Sequence, residues 1–299
     1  MTVLPKLEQN FDATSDSDVI LLTTAEDGRA TQIHVHSKIL SEASPFFKTM
    51  FSLPQPLQDC DNDERRPQAP FRKRTLPTVP VPEPAHVLTK VLRLVYGMQQ
   101  PQIGTLDELT VLLSVAIKYD FVTAVETLRA TLVSPEFLAD PIAVYAAACR
   151  FDLDHEAVIA SEGTLNIDLL GDIETHPHPS LRHISAYDYY QLLVLHKRRG
   201  LAACALLNIP ANVKCMQCNG SVFTMHMPPK WWEEWVIGAK EELAKRPTSE
   251  RIFAVDWVFE AARRTGCSKC PESVLDSWQV LMELKAKIDQ LPSTILPSS

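Results

Sequence analysis

The amino-acid sequence predicts an α+β domain in its first half, a short and mainly antiparallel sheet flanked by helices. An all-α extension follows, and then a helical module flanked by two C-x-x-C pairs. Three observations carry that prediction. Between Asp18 and Phe51 the patterning passes from strand-like to helix-like. From Ser134 onward the apolar spacing is helical only, and Cys215-Met216-Gln217-Cys218 and Cys267-Ser268-Lys269-Cys270 bracket the last such region.

In order, Val19 to Leu22 is a continuous apolar run, Ala25-Glu26-Asp27-Gly28 breaks it, and Gln32-Ile33-His34-Val35-His36 alternates again, which predicts a β-hairpin. Asp27-Gly28 suits the tight connection, because a residue without Cβ accepts positive φ. Ser37 stands where an N-cap should stand, with Ile39, Leu40 and Ala43 on one helical face. Ser44 caps a second helix that has Pro45 at its first position and Phe46, Phe47, Met50 and Phe51 as its apolar surface.

Strand, turn, strand and two short helices carrying H-x-x-I-L-x-x-x-S-x-x-F, here His36, Ile39, Leu40, Ser44 and Phe47, resembles the opening of a BTB/POZ domain. The resemblance spans residues 16–134 and implies a protein-interaction module. It makes Asp18 the aspartate that opens the first core strand and His36 the family's usual histidine. It makes Lys38 the position that shares a pocket with Asp18 in a partly buried ion pair. His36 itself reads as a cap of the hairpin–helix junction in preference to a catalytic or metal-binding group.

Residues 1–15 are polar and irregular and are expected to be disordered. Many BTB domains that homodimerise exchange an extra strand and helix from this region, so the short segment here leaves homo-oligomerisation open. The insertion 54–74, with Pro54, Pro56, Pro67 and Pro70 around a mixed charge cluster, is likewise expected to be disordered. Its Arg65-Arg66 and Arg72-Lys73-Arg74 read as a solvated loop in preference to a nuclear-import patch. Family members that recruit a cullin place an apolar-x-Glu tripeptide in this loop. Leu57-Gln58-Asp59 is the nearest match, with Asp for Glu, which puts the implied cullin contact at Leu57 and Asp59.

Leu76 to Val81 suits an edge strand, where Pro77 and Pro80 cost least. Val87 to Tyr96 is a helix stopped at Gly97, Thr105 caps another that runs to Tyr119, Asp120-Phe121 is a turn, and Val122 to Leu132 is a helix ended by Pro135. In the extension, 135–210, Asp140-Pro141 opens one helix, His155 to Leu165 forms a second, and Ser185 to Leu207 a long third. Thr175-His176-Pro177-His178-Pro179 reads as a solvated loop, and His196-Lys197-Arg198-Arg199 as a basic exposed turn. Cys60, Cys149 and Cys204 stand alone, the last two inside apolar helical patterns.

The cysteine-flanked module is 211–292. Two thiolates separated by two residues converge on one tetrahedral ion, and two such knuckles close a Cys₄ site, so Cys215, Cys218, Cys267 and Cys270 are predicted to hold structural zinc. Free thiols and a redox pair are the alternatives; the latter lacks the strand–helix setting of thioredoxin-like sites. Asn219-Gly220 offers a residue tolerant of positive φ after the first knuckle, whereas Pro271 removes an N–H after the second. The 48 residues between the pairs must carry folded structure of their own. Pro228-Pro229 starts a helix with Trp231, Trp232 and Trp235, although Trp231 and Trp232 cannot both face one way. Pro247-Thr248 starts a second helix stopped at Gly266, Glu272 to Leu291 is a last amphipathic helix, and the tail 293–299 is expected to be disordered.

A net charge of −8 argues against a broad nucleic-acid surface. No apolar run reaches the roughly 18 residues of a membrane span, so a cytoplasmic or nuclear location is expected. Neither a Gly-rich phosphate loop nor a G-x-S-x-G elbow specifies a reaction. The order of units resembles the fungal BTB-domain proteins of the mushroom-forming lineage. It implies a non-catalytic adaptor or scaffold with protein partners, and a substrate receptor of a cullin-type ubiquitin ligase as its sharper form. A zinc-containing BTB transcriptional regulator is the alternative.

Overall fold

Period-two burial draws Val19–Thr24 (β1) and Ala30–Val35 (β2) into an antiparallel pair, with Val19 opposite Val35 and Leu21 opposite Ile33, all four buried on one face. The structure is a computed structural model, and it describes residues 11, 16–24, 30–53, 76–171, 178–210, 213–219 and 227–296. It divides into two compact units, Met1–Ser134 and Pro135–Ser299.

In the first unit Thr78–Val81 (β3) joins the other edge of β1, in parallel, giving the order β2-β1-β3. The sheet is therefore mixed. A parallel partner needs a crossover, here containing helices Ser37–Ala43 (α1) and Pro45–Ser52 (α2). Pro80 is tolerated because β3 is an edge strand. Helices Ala85–Val95 (α3), Leu106–Lys118 (α4) and Val122–Leu132 (α5) supply the rest of the core through Leu88, Val91, Leu92, Leu109, Leu113, Ala116 and Leu128. Gly97 takes φ +61° just past α3, and the Thr105 hydroxyl accepts the Glu108 N–H at 3.2 Å at the start of α4.

The second unit is helical: Pro141–Arg150 (α6), Asp154–Thr164 (α7), Ala186–Leu206 (α8), Lys230–Lys245 (α9), Val255–Arg264 (α10), Cys270–Asp276 (α11) and Trp278–Asp289 (α12), with 3₁₀ turns at Phe137–Ala139 and Pro179–His183. Asp140 caps α6 by accepting the Ala143 N–H at 3.1 Å. His178 lies 3.1 Å from the other oxygen of the same carboxylate, so this histidine of the His-Pro run is tied down at the start of a 3₁₀ turn. A capping box between Ser185 and Asp188 opens α8. Helix α9 packs against α8, α10 and α11, around a core of Trp231, Trp235, Leu243, Ile252, Val258, Val274, Leu281 and Ile288. Ala203 and Leu207 of α8 belong to that core too. The end of α8, in the segment 135–210, thus packs into the interior of the segment 211–292.

Four local readings are corrected. Of His196-Lys197-Arg198-Arg199, read as an exposed basic turn of the long helix, only Lys197 and Arg198 stand in solvent, because helical spacing buries His196 and Arg199. Trp231 and Trp232 face different ways, as read, and both are core because α9 is covered on several sides; their rings meet edge to face at 5.6 Å. The helix expected from Pro247 begins only at Val255, since the Trp235 indole takes the Ile252 carbonyl at 2.8 Å and removes it from helical pairing. The last helix is two, broken at Ser277, whose N–H is shared between the Ser273 and Val274 carbonyls. In the tail, residues 293–296 are placed, and the Ile295 N–H donates to Ser161 Oγ at 3.1 Å. Among the described residues no helix is long and apolar enough to cross a membrane.

Candidate functional site

At the junction of β2 and α1 the cap comes from across the sheet. Ser37 is the first residue of α1 and carries no cap itself; Asp18 accepts both its N–H, at 2.7 Å, and its hydroxyl. Burial raises the Asp18 pKa, but the two Ser37 bonds outweigh it and hold the carboxyl below its ordinary value. No Asp18–Lys38 ion pair forms, because Asp18 is spent on Ser37 and Lys38 points to solvent. His36 sits at the N-cap position of α1, but its side chain makes no capping bond; it is tied to Tyr96, whose hydroxyl accepts the His36 N–H at 2.9 Å and lies 3.1 Å from its Nδ1. Ser44 holds two elements at once. Its hydroxyl accepts the Phe47 N–H at 3.0 Å and donates to the Tyr119 carbonyl at 2.6 Å, seating buried Phe47 among Phe46, Phe51, Tyr119 and Phe121. Leu57 and Asp59 lie outside the described residues, as do Cys60, His176 and the Asp27-Gly28 turn.

The four paired cysteines converge. Their Sγ atoms all lie within 4.8 Å of one another, with Cys215 to Cys267 at 3.7 Å and Cys218 to Cys270 at 3.8 Å. A disulfide would need about 2.05 Å. A tetrahedral ion with metal–sulfur bonds of about 2.3 Å sets its ligands about 3.8 Å apart, so these separations are those of the edges of a Cys₄ tetrahedron. Both of these contacts run between the knuckles and so join the two chain segments at one centre.

Local chemistry builds each knuckle. Asn219, itself buried, accepts the Cys215 N–H through its side chain, returns its own N–H to the Cys215 carbonyl at 3.1 Å, and donates its amide to the Met227 carbonyl at 3.0 Å. It works as a side-chain brace without positive φ, and Gly220, the other residue read as tolerant of it, lies outside the described residues. The Lys230 N–H points at Cys218 Sγ at 3.5 Å. Pro271 falls in the first turn of α11, where an absent N–H costs nothing. Ser273 ties the sides together, donating to the Lys214 carbonyl at 2.6 Å and accepting the Trp231 indole N–H at 2.9 Å. Nothing in the sequence marked Ser273, since its partners lie 59 and 42 residues away.

Burial pushes the Cys270 thiol up to about 12 and the Cys218 thiol upward. At Cys267 burial acts the same way, but the Lys269 backbone and the neighbouring thiols outweigh it and lower the pKa. Four thiols converging at these separations on two chain segments fit a closed structural metal site. Cys149, beside Tyr145, is also pushed up to about 12 by burial and is an inert core thiol. The basic end of α10 is largely neutralised, as Arg264 pairs with Glu260 at 3.3 Å and Glu234 at 3.9 Å.

Compared with models of protein families, residues 7–135 match the BTB/POZ domain. No curated protein matches the chain.

Proposed function

From the BTB/POZ domain carried by residues 7–135, we propose that this protein is a non-catalytic interaction adaptor. In this reading the first unit engages protein partners, and the second is a helical module held by a structural metal ion between Cys215, Cys218, Cys267 and Cys270. The BTB/POZ match is the observation that carries the adaptor role, since such domains generally serve protein interaction. The all-thiolate donor set favours zinc, which would supply no reaction and would cross-link the start and end of the tryptophan-rich helices. The order of the units supports placing the chain with the fungal BTB-domain proteins it resembles.

The sharper form is a cullin-type ligase receptor with contacts at Leu57 and Asp59. It is tested by affinity pull-down of the intact protein from its own cells, alongside a Leu57→Ala/Asp59→Ala bait, read by mass spectrometry. A cullin recovered by the wild type and lost by the variant supports the receptor; no cullin with other proteins enriched leaves a scaffold. The metal is tested by elemental analysis of the purified full chain. One zinc per chain, lost in Cys267→Ser, is the expected result, and a metal-free, cooperatively folded wild type would overturn it.

A further inference from the structure

The exposed face of α8 is the most unusual surface of the second unit. Tyr187, Tyr190, Val194, Arg198 and Leu201 follow one another at steps of three and four residues and so share one side of the helix. Tyr187, Tyr190 and Leu201 are 63%, 61% and 59% exposed, although tyrosine, arginine and leucine at this spacing are what a helix ordinarily turns toward a partner. In the middle of the stripe a cleft of about 260 Å³ opens, walled by Val194, Leu195 and Ala202 on the helix and by Ile295 and Leu296 opposite. Its second wall is fixed by the Ile295–Ser161 hydrogen bond. The stripe runs about 21 Å along the helix, longer than a small molecule and matched to about four turns of a partner helix.

Charge decides what that partner must bring. Arg198 stands at the rim of the cleft, Lys197 beside it, and neither has a carboxylate partner among the described residues. An apolar segment that covered the cleft would strip water from Arg198 and return none of its hydrogen bonds, and with Lys197 alongside, the positive charge there is best complemented by carboxylates. A second copy of this face has nothing suitable to offer. The only acidic residue on α8 is Asp188, whose carboxylate already holds the Ser185 N–H and hydroxyl in the capping box.

We propose that the face of α8 between Tyr187 and Leu201 is a docking groove for an acidic amphipathic helix of another protein, which seats one apolar side chain in the cleft and sets a carboxylate on Arg198. This goes beyond the BTB/POZ reading and needs neither the metal nor a cullin. The test is a display selection of 15-residue peptides against the full chain, followed by fluorescence anisotropy with the synthesised, fluorescein-labelled winner. The expected winner combines apolar residues at helical spacing with two or more carboxylates. Its affinity falls at least tenfold with Arg198→Glu, which removes the cation, and with Ala202→Phe, which fills the cleft. Arg263→Glu on exposed α10 leaves binding unchanged, and circular dichroism melts show all three variants folded. Selection of no peptide, winners without acidic residues, or winners indifferent to both groove variants would each overturn the proposal. Self-association of the wild type abolished by Arg198→Glu would assign the face to a second copy and overturn it as well.

Discussion

Replacing Arg199 by methionine, which keeps the length of the side chain and deletes its donors, is expected to destabilise the second unit strongly. The guanidinium is buried and, among the described residues, makes no ion-pair contact with a carboxylate. It donates to main-chain carbonyls: Pro247 at 2.8 Å, Ile288 at 3.1 Å, Pro292 at 3.0 Å, and Leu291. The Pro247 and Ile288 bonds are fully buried, so their acceptors are stranded by the substitution, whereas water can reach the other two. At about 1.5–3 kcal/mol for each bond to a charged donor, the two buried ones sum to roughly 3–6 kcal/mol. Relief of the desolvation that lowers the Arg199 pKa offsets part of this, leaving a net loss on the order of 2–4 kcal/mol. The assay is favoured by composition: all five tryptophans lie at or beyond position 231, so tryptophan fluorescence reports the second unit alone. With a urea slope of about 2 kcal/mol/M, the midpoint should fall by about 1–2 M, and Arg199→Lys should fall about half as far. A midpoint for Arg199→Met within about 0.3 M of wild type would refute the reasoning.

Four further outcomes are expected. Burial lowers the pKa of His196 from 6.5 to about 4, with the Thr164 hydroxyl at 3.3 Å, the Lys245 backbone and Asp168 around it. The unfolded chain therefore binds more protons between those values, so stability is complete above pH 6.5 and falls by roughly 3 kcal/mol as the pH drops to 4. His196→Asn should flatten that part of the tryptophan-monitored pH profile. Gly200→Ala should destabilise by roughly 1–3 kcal/mol in the same assay, because its Cβ would lie 2.8 Å from the Leu243 carbonyl oxygen. Helix propensity alone predicts the opposite sign, so a stabilised variant would contradict the packing of α8 on α9. Ser44→Ala, which uncaps α2 and strands the Tyr119 carbonyl, should cost about 1–2 kcal/mol in the first unit and lower its melting temperature. Treating the full chain with a zinc chelator should lower the tryptophan-monitored midpoint; an unchanged midpoint would count against a structural metal.

Local chemistry was readable from the sequence wherever a residue acts on near neighbours. Ser44-Pro45, Thr105, Asp140-Pro141 and Ser185 each cap a helix within a few residues of themselves, and each stands where its spacing places it. The C-x-x-C pairs were readable for the same reason, each half being local even though the halves are far apart. Interactions that jump along the chain left no such trace. Asp18 pairs with Ser37 and not Lys38, a choice set by how β1 lies against the start of α1. Arg199 looked like one of four solvated basic residues because its acceptors are main-chain carbonyls, which every residue has. The break at Ser277 was likewise invisible, since Val274, Leu281, Leu284 and Ile288 keep helical spacing across it and all reach the core.

The span bridged by Arg199 also bears on how the chain folds as it is made. Its farthest acceptor, Pro292, is 93 residues downstream, and the thiol quartet begun at Cys215 waits for Cys270. At about 5–20 residues per second, synthesis takes on the order of 5–20 s to cover that interval. During it α8 and α9 exist without the segment that closes over them. Tryptophans 231, 232 and 235 and the thiols of Cys215 and Cys218 are then open to solvent, to oxidants and to other nascent chains. The BTB/POZ unit, whose core is drawn entirely from residues before position 135, can already be folded by then. A cell making this protein therefore holds, for some seconds per molecule, a finished BTB/POZ domain joined to an unfinished helical unit, and that interval is when a chaperone has most to act on.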